Sequence, residues 1–148
     1  MILNGQLLRA AAPIKGMLPG KAREHGVSYG LTEAGYDIRI KQAIHLDTGN
    51  RFTLASAIEE FQMPRHLVGV VHDKSTWARK GLSVFNTVIE PGWHGFLTLE
   101  LVYHGDWSID IPAGAGIAQV LFHELHAMAQ YEGKYQGQED RPVEARHD

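Results

Sequence analysis

The chain has 148 residues, a formal net charge of −3, 44% hydrophobic residues and 21% charged residues. This profile predicts one soluble globular domain over residues 1–148, and the net charge argues against nucleic-acid binding, which usually needs a basic face. The chain has no cysteine, which excludes disulfides, thiolate catalysis and the paired-cysteine metal site of the zinc deaminases, and we expect a cytoplasmic location.

The N-terminal region predicts neither a membrane anchor nor a leader. No apolar run reaches the ~18 residues of a membrane span, and MILNGQLLRAAAP lacks the basic and long apolar regions of a signal peptide. Asn4 is expected to cap a short helix over GQLLRAAA that Pro13 ends. Residues 15–35 are rich in glycine and are predicted to form a loop.

Alternating apolar residues then predict a succession of strands. In YDIRI, Tyr36, Ile38 and Ile40 share one face, while Asp37 and Arg39 share the other, where a cross-strand or same-face ion pair is the simplest interpretation. Further strands are predicted in RFTLAS, HLVGVVH, GLSVFNTVIEPGW, WSIDI and IAQVLFHEL. Many short strands with glycine-containing turns indicate an all-β sandwich or barrel.

The clearest strand is FLTLELVYHG. Leu97, Leu99 and Leu101 lie on one face, and Thr98 and Glu100 lie on the other. Glutamate is disfavoured in strands. Either its face is solvated, or that face lines a cleft in which partial burial would raise the glutamate pKa and suit it to general acid–base catalysis.

The stretch KSTWARKGL, residues 74–82, concentrates positive charge in a slightly acidic chain. It combines the cations Lys74, Arg79 and Lys80 with the hydroxyls of Ser75 and Thr76. Cations and hydroxyls of this kind bind phosphate well, and a turn can also aim backbone N–H groups at an anion. A solvated basic turn is the alternative interpretation.

Three other features were weighed as sites. Glu90 lies beside the Pro-Gly turn of IEPGWHG, where an exposed carboxylate is the simplest interpretation. His123 and His126 lie three residues apart without the HExxH spacing, so no metal site is predicted. Residues 131–148 lack apolar periodicity and are expected to form a flexible tail, in which the donors of KYQGQ either stay disordered or close as a lid over a ligand.

Taken in order, five stretches resemble the dCTP deaminase branch of the dUTPase superfamily: GYDIRI, KSTWARKGL, IEPGWHGFLTLEL, IAQVLFHEL and YEGKYQGQ. The resemblance covers residues 28–138. It implies a distorted β-barrel or jelly-roll protomer that forms a homotrimer, with sites between subunits and a C-terminal tail that closes over the nucleotide. It also implies Mg²⁺ on the substrate triphosphate and no zinc.

The same resemblance assigns the site residues. Ser75 and Arg79 match the catalytic serine and arginine of the family, and Glu100 matches its proposed general base. The anion held by the 74–79 turn would then be the triphosphate of dCTP or dUTP. The remaining substrate-binding positions are Lys74, Thr76, Glu90, Thr98, Leu99, Tyr131, Lys134 and Gln138, of which Thr98 and Leu99 would offer backbone groups to the pyrimidine.

This chain departs from the family pattern beside the expected site. The family usually has aspartate at the position of Glu90, and the connection from Arg79 to Glu90 is about two residues shorter than in well-known bacterial deaminases. After KYQGQ, the usual Gly-Pro-Ser/Thr ending is replaced by EDRPVEARHD. We therefore expect a pocket and a lid that differ in detail.

Three functions remain open from the sequence. The first is a dCTP deaminase that forms dUTP, with Glu100 moving protons, Ser75 holding the water and Arg79 fixing Ser75. The second is a dUTP pyrophosphatase, or a bifunctional enzyme that takes dCTP to dUMP, with Glu90 orienting water onto the α-phosphate. The third is a non-catalytic nucleotide-binding regulator. Retention of Ser75, Arg79 and Glu100 together favours the deaminase.

Overall fold

The structure is a computed structural model that describes residues 1–147. The strands are β1 (Ile2–Leu3), β2 (Lys21–Glu24), β3 (Val27–Leu31), β4 (Tyr36–Arg39), β5 (Ile44–Asp47), β6 (Phe52–Gln62), β7 (Leu67–Asp73), β8 (Leu82–Val84), β9 (Val88–Ile89), β10 (His94–Tyr103), β11 (Ser108–Ile111) and β12 (Gly116–Glu124). The helices are α1 (Gly5–Ala11) and α2 (Ser75–Ala78). The prediction of a mainly β protein with a short N-terminal helix is confirmed. Within residues 1–147, neither helix is long and apolar enough to cross a bilayer.

The strands form three antiparallel sheets. The largest has seven strands. Six of them lie in the order β2-β3-β4-β12-β7-β9, and the seventh, β1, pairs with the end of β12. A second sheet has the order β6-β10-β8, and β5 pairs with β11 in a third. In the large sheet β12 is central, since its Val120 pairs with Tyr36 on one side and with Val71 on the other.

One hydrophobic core joins the three sheets. Ile38 on β4, Phe122 on β12, Leu99 on β10 and Ile109 on β11 all belong to the same buried cluster. Fully burying an aliphatic side chain of this size stabilises a fold by about 1.5–3 kcal/mol. This shared core fixes β10, the strand that carries Glu100, against the large sheet.

The prediction of a loop over residues 15–35 is wrong for residues 21–31, which form the β2–β3 hairpin. The turn between the strands places His25 and Gly26 at φ values of 52° and 74°. Two consecutive positive φ angles belong to the type I′ turn, whose twist matches that of the flanking strands. The glycines marked the turn, but histidine is a rare first residue for it, so the hairpin signal was missed.

Helix α1 forms where the sequence predicts it and ends before Pro13, with Ala12 in the left-handed region at φ 48°. The predicted cap is wrong in one respect. Asn4 occupies the N-cap position, yet its side chain makes no cap hydrogen bond and instead donates from Nδ2 to the carbonyl oxygen of Glu33, 2.8 Å away. Asn4 therefore ties the helix to the segment between β3 and β4.

Strand β4 buries its predicted apolar face, and its polar face makes two separate ion pairs. Arg39 Nε lies 2.9 Å from Oε1 of Glu59 on β6, which is a cross-strand contact between sheets. Asp37 pairs with Lys74, just before α2. Asp37 and Arg39 therefore do not pair with each other, because each meets a partner from another element.

Candidate active site

A cavity of about 650 Å³ opens between β10, the connection of residues 86–90 and the C-terminal tail. A volume of this size suits a small-molecule ligand. Aromatic and aliphatic side chains form most of its wall, together with a few polar groups. The polar and aromatic members are Phe52, Asn86, Thr87, Glu90, Trp93, Thr98, Glu100, Tyr131, Tyr135 and Gln138.

Glu100 projects from β10 into this cavity. Its neighbours Leu99 and Leu101 are fully buried on the opposite face, as the alternation predicts. Burial raises the pKa of the Glu100 carboxyl above its ordinary value. Among residues 1–147 no cation or hydrogen-bond donor contacts this carboxyl to oppose the shift, so it is poised to bind a proton.

The prediction that Leu97 lies on the core-facing side of β10 is only partly correct. Leu97 packs against the core but also lines the cavity. The register of β10 against β6 shifts at this point, because Phe96 pairs with Glu60 whereas Thr98 pairs with Ser56. Leu97 is the single residue of β10 between these two pairs, whereas residues 57–59 of β6 lie between the same pairs, so the extra residues of this irregularity belong to β6.

Asn86 is a cavity residue that the sequence analysis missed. Its Nδ2 donates to the carbonyl oxygen of Thr98 at 2.7 Å, and its Oδ1 accepts from the backbone N–H of Glu100 at 3.0 Å. These two backbone groups of β10 are thus already bonded. One signal was available, since asparagine is disfavoured in strands and interrupts the β-rich run GLSVFNTVIE.

The C-terminal tail lies against β10 and forms one side of the cavity. Gln138 is buried and makes a parallel bridge to Gly95. Its Nε2 donates to Oγ1 of Thr98 at 2.6 Å, and the backbone N–H of Val143 donates to the same oxygen at 3.0 Å. Val143 is also buried. Val143 therefore anchors the tail in an apolar contact, although residues 131–148 lack apolar periodicity.

Aromatic side chains connect the tail to the Pro-Gly turn. Trp93 Nε1 donates to the carbonyl oxygen of Tyr135 at 2.6 Å, and the Tyr135 N–H donates to the hydroxyl of Tyr131 at 3.3 Å. Tyr131 N–H in turn donates to the carbonyl oxygen of Pro91 at 2.8 Å. Lys134 is exposed, with its Nζ 5.8 Å from the centre of the Tyr135 ring.

The basic stretch of residues 74–82 contains α2 and is held against the large sheet. Trp77 is buried, and its Nε1 donates to the carbonyl oxygen of Gly116 at 2.6 Å. Arg79 Nε donates to Oγ of Ser75 at 3.1 Å, so the predicted association of these two side chains is present. Lys74 is committed to Asp37 and Ser28.

Seven of the residues assigned from the sequence line one of two cavities, and the other four line neither. Glu90, Thr98, Glu100, Tyr131 and Gln138 line the large cavity. Lys74 and Ser75 line a second cavity of about 200 Å³, together with Asp37, Asp73 and Gln119. Thr76, Arg79 and Lys134 are exposed, and Leu99 is buried in the core. One protomer therefore does not place Ser75 or Arg79 in the cavity of Glu100.

His123 and His126, for which the sequence predicts no metal site, line neither cavity. His123 lies on β12, paired with Ile2 and Val68, and His126 is exposed beyond the strand end. Within residues 1–147, no three or more His, Asp and Glu side chains gather in a group that could hold a metal ion.

The dCTP deaminase-like family profile matches residues 34–125. A dCTP deaminase of Herpetosiphon aurantiacus is 35% identical, over 84% of this chain and 86% of its own length. A dCTP deaminase of Herminiimonas arsenicoxydans is 33% identical, over 93% of this chain and 95% of its own length. A dCTP deaminase of Chlamydia trachomatis is 34% identical, over 76% of this chain and 77% of its own length.

Several solved structures with a similar fold are dUTPases. The native EIAV dUTPase superposes with a TM-score of 0.58 at 20% identity, covering 84% of this chain and 92% of its own. The dUTPase of Staphylococcus bacteriophage 80alpha has a TM-score of 0.59 at 18% identity, covering 81% and 91%. A mutant dUTPase of phage phi11, with a TM-score of 0.58 at 17% identity and coverage of 77% and 88%, is described as coordinating a structural Mg(II) ion. At these identities the likeness shows the fold alone.

Proposed function

The chain belongs to the dCTP deaminase-like family, and from that premise we propose that it hydrolyses dCTP to dUTP and ammonia. The proposal rests on the position of Glu100 in the large cavity. Its carboxyl, with a pKa raised by burial, projects into a largely apolar cavity large enough for a nucleoside. A partly buried carboxyl of this kind suits an acid–base role, since it takes up a proton at a higher pH than a fully solvated one.

In the proposed reaction, the oxygen of a water molecule bonds to C4 of the cytosine. Glu100 accepts a proton from this water and delivers it to N3. Glu100 then takes the proton of the new C4 hydroxyl and delivers it to the amine, so that the C4–N4 bond breaks, ammonia leaves and a carbonyl remains. One carboxyl in a cavity shielded from bulk water can perform both transfers in turn.

We include in the proposal that a second copy of the chain completes the site, in a homotrimer. Ser75 and Arg79, the other catalytic assignments, lie outside the cavity of Glu100 within one protomer. Exposed apolar side chains near the cavity, Phe52, Phe85 and Val88, are of the kind that a subunit interface covers. Ser75, held by Arg79, would then bring its hydroxyl to the attacking water.

Mg²⁺ enters the proposal as part of the substrate, bound to the triphosphate. Thr76 and Lys134 are exposed and are proposed to contact the phosphates with the tail. Glu100, rather than a bound zinc ion, activates the water in this proposal. Thr98 and Gln138 contribute by shaping the pyrimidine side of the cavity.

Glu90 favours a second candidate activity. Its exposed carboxylate lies at the rim of the same cavity, where it could orient water onto the α-phosphate. The enzyme would then also release pyrophosphate and form dUMP. On this proposal Glu90→Gln abolishes pyrophosphate formation while ammonia release stays within about tenfold of the wild type, or about 1.4 kcal/mol.

Product analysis tests the proposal directly. The protein is incubated with dCTP or with dUTP and Mg²⁺, and ammonia, pyrophosphate and nucleotides are quantified. Equal amounts of ammonia and dUTP from dCTP, with no consumption of dUTP, support the deaminase. Pyrophosphate and dUMP support the second candidate. Binding of both nucleotides without turnover contradicts both and leaves the regulator.

A further inference from the structure

The side chain of Asn86 links the wall of the large cavity to the backbone of β10 at Thr98 and Glu100. Its amide bonds the carbonyl oxygen of Thr98 and the N–H of Glu100 at 2.7 and 3.0 Å. The orientation of this amide follows from chemistry. A carbonyl oxygen only accepts and a backbone N–H only donates, so Nδ2 must face Thr98 and Oδ1 must face Glu100.

The path of the chain explains why a side chain makes these bonds. Strand β8 pairs with β10 as far as Val84, and the N–H of Phe85 still donates to the carbonyl oxygen of Glu100 at 2.8 Å. The chain then leaves β10, and β9 pairs with β7 in the other sheet. The amide of Asn86 takes the place of the next backbone pair, and the divergence of the two sheets opens the cavity.

Asn86 and Phe85 therefore bond the N–H and the carbonyl oxygen of Glu100 along one edge of β10. On the other face, Leu99 and Leu101 hold the strand through fully buried side chains. We propose that Asn86 is a positioning residue for Glu100, which sets the aim of the Glu100 carboxyl into the cavity during deamination. This inference rests on the proposed function, in which Glu100 moves the protons.

An amide is suited to this position for two reasons. It supplies one donor and one acceptor side by side, which the Thr98 carbonyl and the Glu100 N–H both require. It is also uncharged, so it orients Glu100 without the pKa-lowering effect that a nearby cation would have. The other titratable groups that line this cavity are Glu90, Tyr131 and Tyr135.

Asn86→Asp is the informative variant, because aspartate has the same shape but its carboxylate cannot donate to Thr98. It also adds a negative charge beside Glu100. We expect kcat for ammonia release from dCTP to fall at least about 30-fold with KM changed less than about threefold. We also expect the acid limb of the kcat–pH profile, and the carboxyl titration of Glu100 followed by NMR, to move to higher pH.

Two further variants keep the test decisive. Asn86→Ala removes both bonds without adding charge, and should lower kcat without moving the Glu100 titration upward. Asn50→Asp, at an exposed turn position, adds the same charge away from these bonds and should change neither measurement. Melting temperatures establish that each variant is folded, and Asn86→Ala decides the outcome if Asn86→Asp does not fold.

The inference is overturned if folded Asn86→Asp and Asn86→Ala keep kcat within about twofold of the wild type. It is also overturned if kcat and KM change together and the Glu100 titration stays in place, which is the signature of a structural role only. A wild-type protein that releases no ammonia overturns the proposed function instead. The NMR titration then still reports whether Asn86→Asp shifts the Glu100 carboxyl.

Discussion

Asp37 and Lys74 form an ion pair that is almost removed from solvent, with side chains only 6% and 10% exposed. Lys74 also donates to the hydroxyl of Ser28 at 3.1 Å, whereas Oδ1 of Asp37 has no hydrogen-bond partner among the described residues. The pair joins β4 to the residue before α2. It therefore sets the position of Ser75 and Arg79 relative to the large sheet.

Lys74→Met should destabilise the fold, because it leaves the buried carboxylate of Asp37 without a counter-charge. We expect the free energy of unfolding, measured by urea denaturation, to fall by about 3–5 kcal/mol. Lys80→Met is the matched control, since Lys80 is exposed over the Trp77 ring, and it should cost less than about 1 kcal/mol. An unchanged urea midpoint with a raised KM for dCTP would show instead that Lys74 acts as a phosphate ligand.

Glu100→Gln should nearly abolish deamination. Glutamine keeps the size of the side chain but cannot accept a proton from water. We expect kcat to fall at least ~10³-fold, or about 4 kcal/mol, while the dissociation constant for dCTP stays close to that of the wild type. Ammonia release by Glu100→Gln near the wild-type rate would remove Glu100 from the mechanism.

If the proposed homotrimer forms, trimers that mix two variants should reveal whether the site is shared between subunits. Glu100→Gln and Arg79→Ala are each expected to be inactive alone. If one subunit supplies Glu100 and its neighbour supplies Arg79, random co-assembly of equal amounts restores both residues in about a quarter of the sites. The measurement is ammonia release after joint refolding. Mixtures as inactive as their parents would indicate that one subunit supplies both Glu100 and Arg79 to each site.

The pH dependence of kcat should reflect the burial of Glu100. Because burial raises its pKa, this carboxyl is protonated at a higher pH than a solvated glutamate, whose pKa is about 4.3. The active base is the deprotonated form, so activity is present above the raised pKa and is lost as the pH falls through it. An acid limb centred at or below about pH 4.3 would contradict the assignment of Glu100 as the base.

The tail should contribute to nucleotide binding through Gln138. Gln138→Ala removes the 2.6 Å bond to Thr98 and the bond to the carbonyl oxygen of Phe96 at 3.0 Å, which help the backbone contacts of the tail to hold it on β10. We expect faster proteolysis of the tail and a KM for dCTP raised about tenfold, since tail ordering must then accompany binding. Glu139→Gln, at the exposed neighbouring position, is the control. If truncation after Gly133 leaves the kinetics unchanged, the tail has no role as a lid.

Local sequence patterns correctly predicted the structural features that depend on neighbouring residues. The period of two in β4 and β10 correctly placed Ile38, Leu99 and Leu101 in the core and Glu100 on the opposite face. The same reasoning failed at Leu97, because a bulge depends on the register against β6. It also failed over residues 21–31, where a turn of His25 and Gly26 makes a hairpin that resembles a loop in composition.

The β class, the strand that carries Glu100 and the family motifs could all be read from the sequence, since each of these depends on residues close together in the chain. The tertiary structure alone decided what surrounds Glu100. Val143 reaches Thr98 across 45 residues, Lys74 meets Asp37 across 37, and Asn86 acts on β10 only because the chain crosses there between two sheets. Such contacts depend on how separate elements pack together, and that packing cannot be predicted from the spacing of residues along the chain.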